Sequence, residues 1–376
     1  MIESFRVLVY KQHSDLVLLD DLTGLTSLSY SSALHGGYHL CEVTVPMRLG
    51  NAWLYLQREG QKGRHFMHLE VREGAFLRWE GRIMECGVTW GTSMQGLKLT
   101  AMGYWSSMRD QRITTVNYSS GSHTVDSIIK AMLTDKCPDI SSDQANVDAV
   151  AGAVNLTLDV DKYAQDHIIQ ALAPLGDTSD NQYYFSVYDN RVPFYKARSD
   201  QDDDVEWEIP LTSIRTGAVT QGAQHLRNGA DAYDGTTRTA AGTDADSRTL
   251  YPSRDQVVSV PTGTTAARAL DARDRFISER QSPQQKSRFV VNGPVFRRKA
   301  HSTEPGGRSA IRAGQVVKII DLIPGGAASP VLDNLRTFFV VQAKYDASRD
   351  EVAIIPDRPP STLETLLART GIETTR

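Results

Sequence analysis

The chain has 376 residues, long for one hydrophobic core, and that length favours two or three domains, each able to hold a core of its own. With 40% hydrophobic and 23% charged residues it matches globular averages, which excludes a disordered, collagen-like or coiled-coil protein. A formal charge of −4, from 41 basic and 45 acidic residues, gives no general attraction for nucleic acid or an anionic membrane, since both call for clustered positive charge.

Cys41, Cys86 and Cys137 lie far apart and show no C-x-x-C spacing. Their odd number leaves one unpaired in any intramolecular scheme, so they read as small core residues of a chain folded in a reducing cytosol. The apolar run from Val7 to Tyr10 is stopped by Lys11 and is too short for a signal h-region. No later stretch approaches the ~20 apolar residues of a membrane helix. The expectation is a chain that does not insert into a membrane and leaves a cell, if at all, by a route such as lysis.

Taken in chain order, residues 1–118 are dominated by segments of period two: Arg6-Val7-Leu8-Val9-Tyr10, Leu40-Cys41-Glu42-Val43-Thr44-Val45, Met67-His68-Leu69-Glu70-Val71 and Leu97-Lys98-Leu99-Thr100-Ala101. This spacing puts apolar side chains on one face of a half-buried strand. Turn signals at Thr23-Gly24, His35-Gly36-Gly37, Arg58-Glu59-Gly60 and Glu73-Gly74 separate the segments and predict antiparallel hairpins in a barrel or sandwich, with a bulge at Gly81. From Thr124 the period becomes helical, with Val125, Ile128, Ile129, Met132 and Leu133 on one face and Ser122 or Thr124 as the cap. A second helix runs from near Asp161 through Ala164, Ile168, Ala171 and Leu172 to Pro174 and Gly176. Two aromatic-rich strands, 183–188 and 192–195, follow around Asp189-Asn190. Residues 119–200 therefore read as a small α/β insert domain.

Residues 201–358 return to short strands near 205–209, 256–260, 288–291, 315–320 and 337–341, with a terminal hairpin to 351–355. Residues 264–279 predict one helix, rich in Ala, Arg and Leu. The stretch 228–253 has no apolar period and reads as a long loop. After Pro359-Pro360, Ser361-Thr362-Leu363-Glu364 forms a capping box for a short helix through Leu366 and Leu367, in a C-terminal tail spanning 359–376.

Motifs that carry chemistry are scarce. The chain has no Walker motif, no Rossmann glycine fingerprint after a strand, no G-x-S-x-G elbow and no H-E-x-x-H. His35-Gly36-Gly37 resembles an esterase oxyanion turn, but without a nucleophile elbow it reads as a turn needing positive φ. His65 and His68 would share a metal on a helix; on a strand, three residues apart, they face opposite sides. Asp159-Val160-Asp161 is explained by Asp161 as a helix cap. No catalytic, metal-binding or cofactor-binding residue is assigned, and no cofactor is expected. The acidic run of Asp200, Asp202, Asp203, Asp204, Glu206 and Glu208 lacks the glycine and closing glutamate of a calcium loop. Two readings stay open for it: a solvated linker, or carboxylates lining a channel that repel DNA, with Asp202, Asp203 and Asp204 as the channel-lining candidates. The basic-aromatic stretch Phe296-Arg297-Arg298-Lys299 fits a rim that pairs with a neighbour's carboxylates.

The order of blocks resembles the hub proteins of phage tails: the baseplate hub of contractile phages, its siphophage tail-tip relatives and the hub part of type VI secretion spikes. The resemblance rests on the insert from His123 to Leu133, on Leu156 to Leu172 and on the aromatic strands ending Phe194-Tyr195-Lys196-Ala197-Arg198. Similar too are Val219-Thr220-Gln221-Gly222-Ala223, the run Ile311-Arg312-Ala313-Gly314-Gln315-Val316-Val317-Lys318-Ile319, and Phe338 to Asp346. It implies a mainly β (α+β) fold of two antiparallel, tail-tube-like β-barrels separated by the small α/β insert domain. It further implies a homotrimer whose two barrels per chain make a ring of six, matching a six-fold tube to a three-fold tip.

The implied partners are further copies of the chain, a distal-tail or tail-tube protein, the tape-measure protein, and tip, spike or fibre proteins, with DNA only in transit. The implied location is the virion, after assembly in the host cytoplasm. Interface candidates are Asp234 and Arg238 in the long loop, and Leu363, Leu366 and Leu367 in the tail. The alternatives are a hexameric distal-tail or tube protein, a tail-associated carbohydrate-degrading enzyme, and a sugar-binding module using Tyr183, Tyr184 and Tyr188.

Overall fold

A computed structural model of the chain describes residues 2–357 except 13–14, 57–62, 91–94, 111, 114–116, 158–161, 178–181, 199–203, 261–265, 282–283, 299–306 and 321–336. In the first block the alternating segments become β1 (Phe5–Gln12), β2 (Asp15–Leu22), β3 (Ser27–Ala33), β4 (Gly36–Pro46), β5 (His68–Glu73), β6 (Phe76–Trp90) and β7 (Gln95–Met102). They pair in the order β3-β4-β7-β6-β5-β1-β2, each pair antiparallel. On β5 and β6, Leu69, Val71, Trp79 and Ile83 enter the apolar core. His68, Glu70, Glu80 and Arg82 on the same two strands are buried as well. Gly81 does not make the expected bulge: it pairs in register with Leu69, and the bulges fall at Val71/Arg72 and Ile83/Glu85. The glycine is needed because a Cβ there would stand 2.3 Å from the Met102 carbonyl oxygen.

The insert comprises β8 (Asn117–Thr124), the helix Val125–Lys136, β9 (Ala153–Thr157), a wide-turned helix Asp166–Leu172 continued by Ala173–Leu175, and the hairpin of β10 (Tyr183–Tyr188) and β11 (Val192–Ala197). The predicted apolar stripe Val125, Ile128, Ile129, Met132 and Leu133 packs with Ala164, Ile168, Leu172, Phe185, Val187 and Tyr195. Tyr104, Trp105, Met108 and Ile113, from the end of the first block, complete this core. Thr124 occupies the cap position without a side-chain cap bond. The hairpin docks where β10 runs parallel to β4, pairing Ser186 with Gly36 and Val187 with Gly37. Both glycines have positive φ, +109° and +84°, as the turn reading of His35-Gly36-Gly37 expects. A Cβ on Gly37 would lie 2.2 Å from the Val187 carbonyl oxygen.

The third block holds β12 (Val205–Pro210), β13 (Ile214–Gly222), β14 (Gly229–Tyr233), β15 (Gly242–Thr243), β16 (Asp255–Ser259), β17 (Gln284–Val291), β18 (Phe296–Arg297), β19 (Val316–Ile320), β20 (Thr337–Asp346) and β21 (Glu351–Asp357). The stretch read as a long loop is instead structured. It carries β14, β15 and the helix Ala245–Leu250, and with β16 makes a three-stranded sheet covered by the helix Ala266–Arg280. Its signal was weak because the strand Gly-Ala-Asp-Ala-Tyr buries only small side chains, Ala230 and Ala232, and has low β-propensity.

One strand joins the blocks. Along β20, Thr337 to Phe339 pair with β19, Gln342 to Asp346 pair with β3, and β21 lies on the other side. The outer blocks therefore share a continuous sheet, β13-β17-β21-β20-β3-β4-β7-β6-β5-β1-β2, that ends at β2 and β13. They share a core too: Phe5 and Tyr30 contact the Tyr345 ring at 5.7 and 5.3 Å, and Trp207, Phe289 and Phe338 join the cluster formed by the first block. The two outer blocks do not hold separate cores, because pairing β20 to β3 carries the apolar face across, whereas the insert keeps a core of its own, as the length leads one to expect.

Candidate assembly surfaces and block joints

Two polar joints hold the blocks together. At the first, the insert covers the charged face of β5 and β6. Arg82 donates to Asp110 at 2.7 Å and Asp139 at 3.4 Å, the Arg191 amide donates to Glu80 at 2.6 Å, and the His68 ring contacts the Tyr104 hydroxyl at 2.6 Å. Burial pushes the Glu80 carboxyl up to about 8; the Arg191 amide opposes this, and the charges of Asp189 and Glu70 add to it. Glu70 shows the opposite balance: burial would raise it, but hydrogen bonds from His68 and Arg72 outweigh burial and hold it below the usual carboxylate range. Among the described residues, His68, Glu70 and Glu80 form the group with metal-ligand chemistry, one donor atom of each lying within 4.8 Å of the others.

The second joint surrounds a cavity of ≈ 70 Å³ where β3, β4, β6, β12 and β20 meet the turn at Asp189 and the segment 309–315. Arg312 donates to Asp189 at 2.8 Å and its guanidinium lies 4.5 Å from the Tyr188 ring centroid, while Tyr38 donates to Asp189. Burial alone would raise the Asp189 carboxyl; the Arg312 charge and the Tyr38 hydroxyl hold it below its ordinary value. Gln315 accepts from the Trp207 indole at 3.0 Å and the Arg312 amide at 2.8 Å, and donates to Glu206 at 3.0 Å. Both cavity carboxylates, Asp189 and Glu206, are thus engaged by structural partners. The volume is far below the several hundred Å³ of a small-molecule pocket.

The outer surface offers a different kind of site. β2 ends the sheet, paired only with β1 among the described residues, and exposes Leu16, Val17 and Leu18 at 60, 50 and 50%. Consecutive strand residues point to opposite faces, so β2 is apolar on both. An exposed apolar stretch at a sheet edge can act as a template for another chain. The strand itself is anchored, since Asp21 pairs with Arg6 and Asp20 accepts from Tyr55 at 2.8 Å. A second apolar group, Trp90 at 66% and Leu54 at 54% exposure, flanks Trp53, whose ring lies 6.2 Å from that of Trp90.

The residues singled out by their sequence pattern fall elsewhere. Asp204 is half-buried just before β12, whereas Asp202 and Asp203 lie outside the described residues, as do Leu363, Leu366 and Leu367. Asp234 and Arg238 come together at the outer turn of the small sheet. Asp234 accepts from the amides of Thr236 at 2.9 Å and Thr237 at 2.6 Å, and Arg238 pairs with Asp231 at 3.3 Å. His65 and His68 are not brought together as a pair; the partners of His68 are Tyr104 and Glu70. Tyr184 and Tyr188 are buried, with the Tyr188 hydroxyl bonded to the Ala313 carbonyl at 2.6 Å, so packing accounts for them.

No protein-family model and no curated protein matches this sequence. Solved structures do match it. The 43 kDa tail protein of prophage MuSo2 from Shewanella oneidensis superposes with a TM-score of 0.63 at 13% identity, over 95% of this chain and 99% of that one. The tail protein from Neisseria meningitidis MC58 gives 0.62 at 12% identity, over 94 and 96%. Prophage tail protein gp18 from Listeria monocytogenes EGD-e gives 0.56 at 13%, over 97 and 98%. The chain has the mainly β fold of these phage tail proteins, along almost its whole length and theirs.

Proposed function

We propose that the chain is a structural subunit of a phage tail tip or baseplate hub, three copies of which close a ring beneath the tail tube. Supporting this is one observation above the rest: two β-rich blocks share a sheet through β20 and β3, in a fold common to several tail proteins, and among the described residues the long strand path of that sheet ends at β2 and β13. In this reading residues 1–118 and 201–358 act as two tube-like barrels per chain, so three chains present six similar units to a six-fold tube and three-fold symmetry to the tip. β2 of one copy meets its neighbour, because burying an apolar edge in a closed ring removes the liability it poses in a lone chain. The turn of Asp234 and Arg238 and the tail leucines add to that contact.

The acidic run ahead of β12 faces the channel, where its charge keeps passing DNA from adhering. The tape-measure protein and then DNA use that channel, and tube and tip proteins cap its two ends in the virion. Chemistry is left to other proteins; the small cavity with engaged carboxylates supports this. Mass measurement and top-view electron microscopy of the purified chain test the reading. Three-fold rings are expected; six copies per ring favour a distal-tail or tube protein, and a strict monomer at high concentration overturns self-assembly.

A further inference from the structure

Three side chains on the β5–β6 hairpin converge in a way that polar packing alone does not call for. His68 and Glu70 are two residues apart on β5 and so share a face, and Glu80 on β6 is the register partner of Glu70. All three are buried, at 3, 6 and 3% exposure. A separate partner holds each from outside: Tyr104 at Nδ1 of His68 (2.6 Å), Arg72 Nε at Oε2 of Glu70 (2.7 Å), and the Arg191 amide at Oε1 of Glu80 (2.6 Å). Nε2 of His68 is thereby turned to Oε1 of Glu70, 3.1 Å away, with a Glu80 carboxylate oxygen in the same group. Holding each ligand by a hydrogen bond from outside the group is how proteins orient metal ligands.

We infer that His68, Glu70 and Glu80 form a binding site for one divalent ion of the zinc class, which staples the hairpin under the insert. One imidazole and two carboxylates form a borderline donor set, suited to Zn²⁺ and short of the six to eight oxygens Ca²⁺ takes. The charge allows a cation as well: a neutral imidazole with two carboxylates carries two negative charges, of which Arg72 offsets one at Glu70, while Arg82 is engaged outside the group with Asp110 and Asp139. Tetrahedral zinc sets its ligand atoms ~3.4 Å apart, so closing from 4.8 Å takes a shift of about 1 Å or a little more, within reach of a carboxylate torsion.

The test uses the full-length protein, stripped with EDTA, dialysed and titrated with ZnCl₂ under native mass spectrometry and calorimetry. One zinc per chain and a higher melting temperature are expected, with Co²⁺ giving a visible d–d spectrum at the same stoichiometry. Glu80→Gln, nearly the same size, is expected to lower zinc affinity at least about 100-fold with an unchanged circular dichroism spectrum, and Tyr104→Phe about 10-fold by loosening His68. If His68→Gln fails to fold, those two variants still decide the matter. A wild-type protein that takes up no zinc overturns the site, as does Glu80→Gln binding zinc as tightly as wild type, which places the ion on other histidines.

Discussion

Replacing Leu16 and Leu18 by lysine separates the edge reading of β2 from a structural role for the same residues. Full burial of a leucine is worth about 1.5–3 kcal/mol. With Leu16 60% and Leu18 50% exposed in the single chain, the part left for a neighbour to cover comes to about 1–2 kcal/mol and 0.8–1.5 kcal/mol. Losing both weakens each contact by about 1.8–3.5 kcal/mol, or ~20- to 400-fold, before any penalty for burying a lysine. The fold of one copy barely depends on these side chains, since Leu22 carries the buried end of β2 and Asp20 and Asp21 hold its anchors. Sedimentation equilibrium over a range of concentrations measures the first effect, and thermal unfolding of the dilute monomer measures the second. Association of the double variant at wild-type affinity refutes the edge assignment; a large loss of monomer stability shows that the residues serve the fold.

Gln315→Leu is expected to cost about 2–5 kcal/mol in urea unfolding, because it orphans the buried Trp207 indole and the Arg312 amide together, and adding Trp207→Phe should return part of that loss. Gly37→Ala, at φ +84° and with its Cβ driven onto the Val187 carbonyl, should detach the insert hairpin and raise hydrogen exchange at 186–188 relative to the rest of the chain. For Asp189 the folded carboxyl titrates below its ordinary value, so its stabilising effect is full above the unfolded value of about 3.9 and fades as pH falls through the folded one. Its side chain is 41% exposed, so the effect is modest and salt-sensitive, and Asp189→Asn should flatten the loss of stability measured between neutral pH and pH 3.

Much of the architecture could be read in the residues because alternation and helical spacing were strong where side chains are large. The segments at 6–10, 40–45 and 97–101 fall within β1, β4 and β7, and the stripe from Val125 to Leu133 lies in the helix it predicts. The metal-ligand group was not legible, and a single bulge explains why. Counting back from the Glu73–Phe76 pair at the hairpin turn, an unbroken ladder would set Glu70 opposite Trp79, on the wrong face for Glu80. The register shift between Val71 and Arg72 moves the pairing by one residue and sets Glu70 against Glu80. Nothing in the local residues announces that shift. The small sheet of β14, β15 and β16 was missed for a different reason, since alanines bury too little area to mark a period.

The sharing of β20 explains why edges matter so much in this molecule. A strand that pairs with β19 along its first half and β3 along its second removes the free edge that each block would otherwise present there. Among the described residues the two ends of the long strand path, β2 and β13, differ in chemistry: β2 carries Asp20 and Asp21 beside its leucines, whereas β13 presents Arg215, Thr216 and Gly217 to solvent. Pairing β2 of one copy with β13 of the next would run head to tail, whereas β2 against β2 would close a two-fold dimer. A head-to-tail contact gives either a closed ring or an open filament, and the angle between successive copies decides which. Because β20 and β3 already set the angle between the two blocks inside one chain, a similar angle between chains would repeat the same step around the ring. In the proposed ring the intramolecular junction would serve as the template for the intermolecular one.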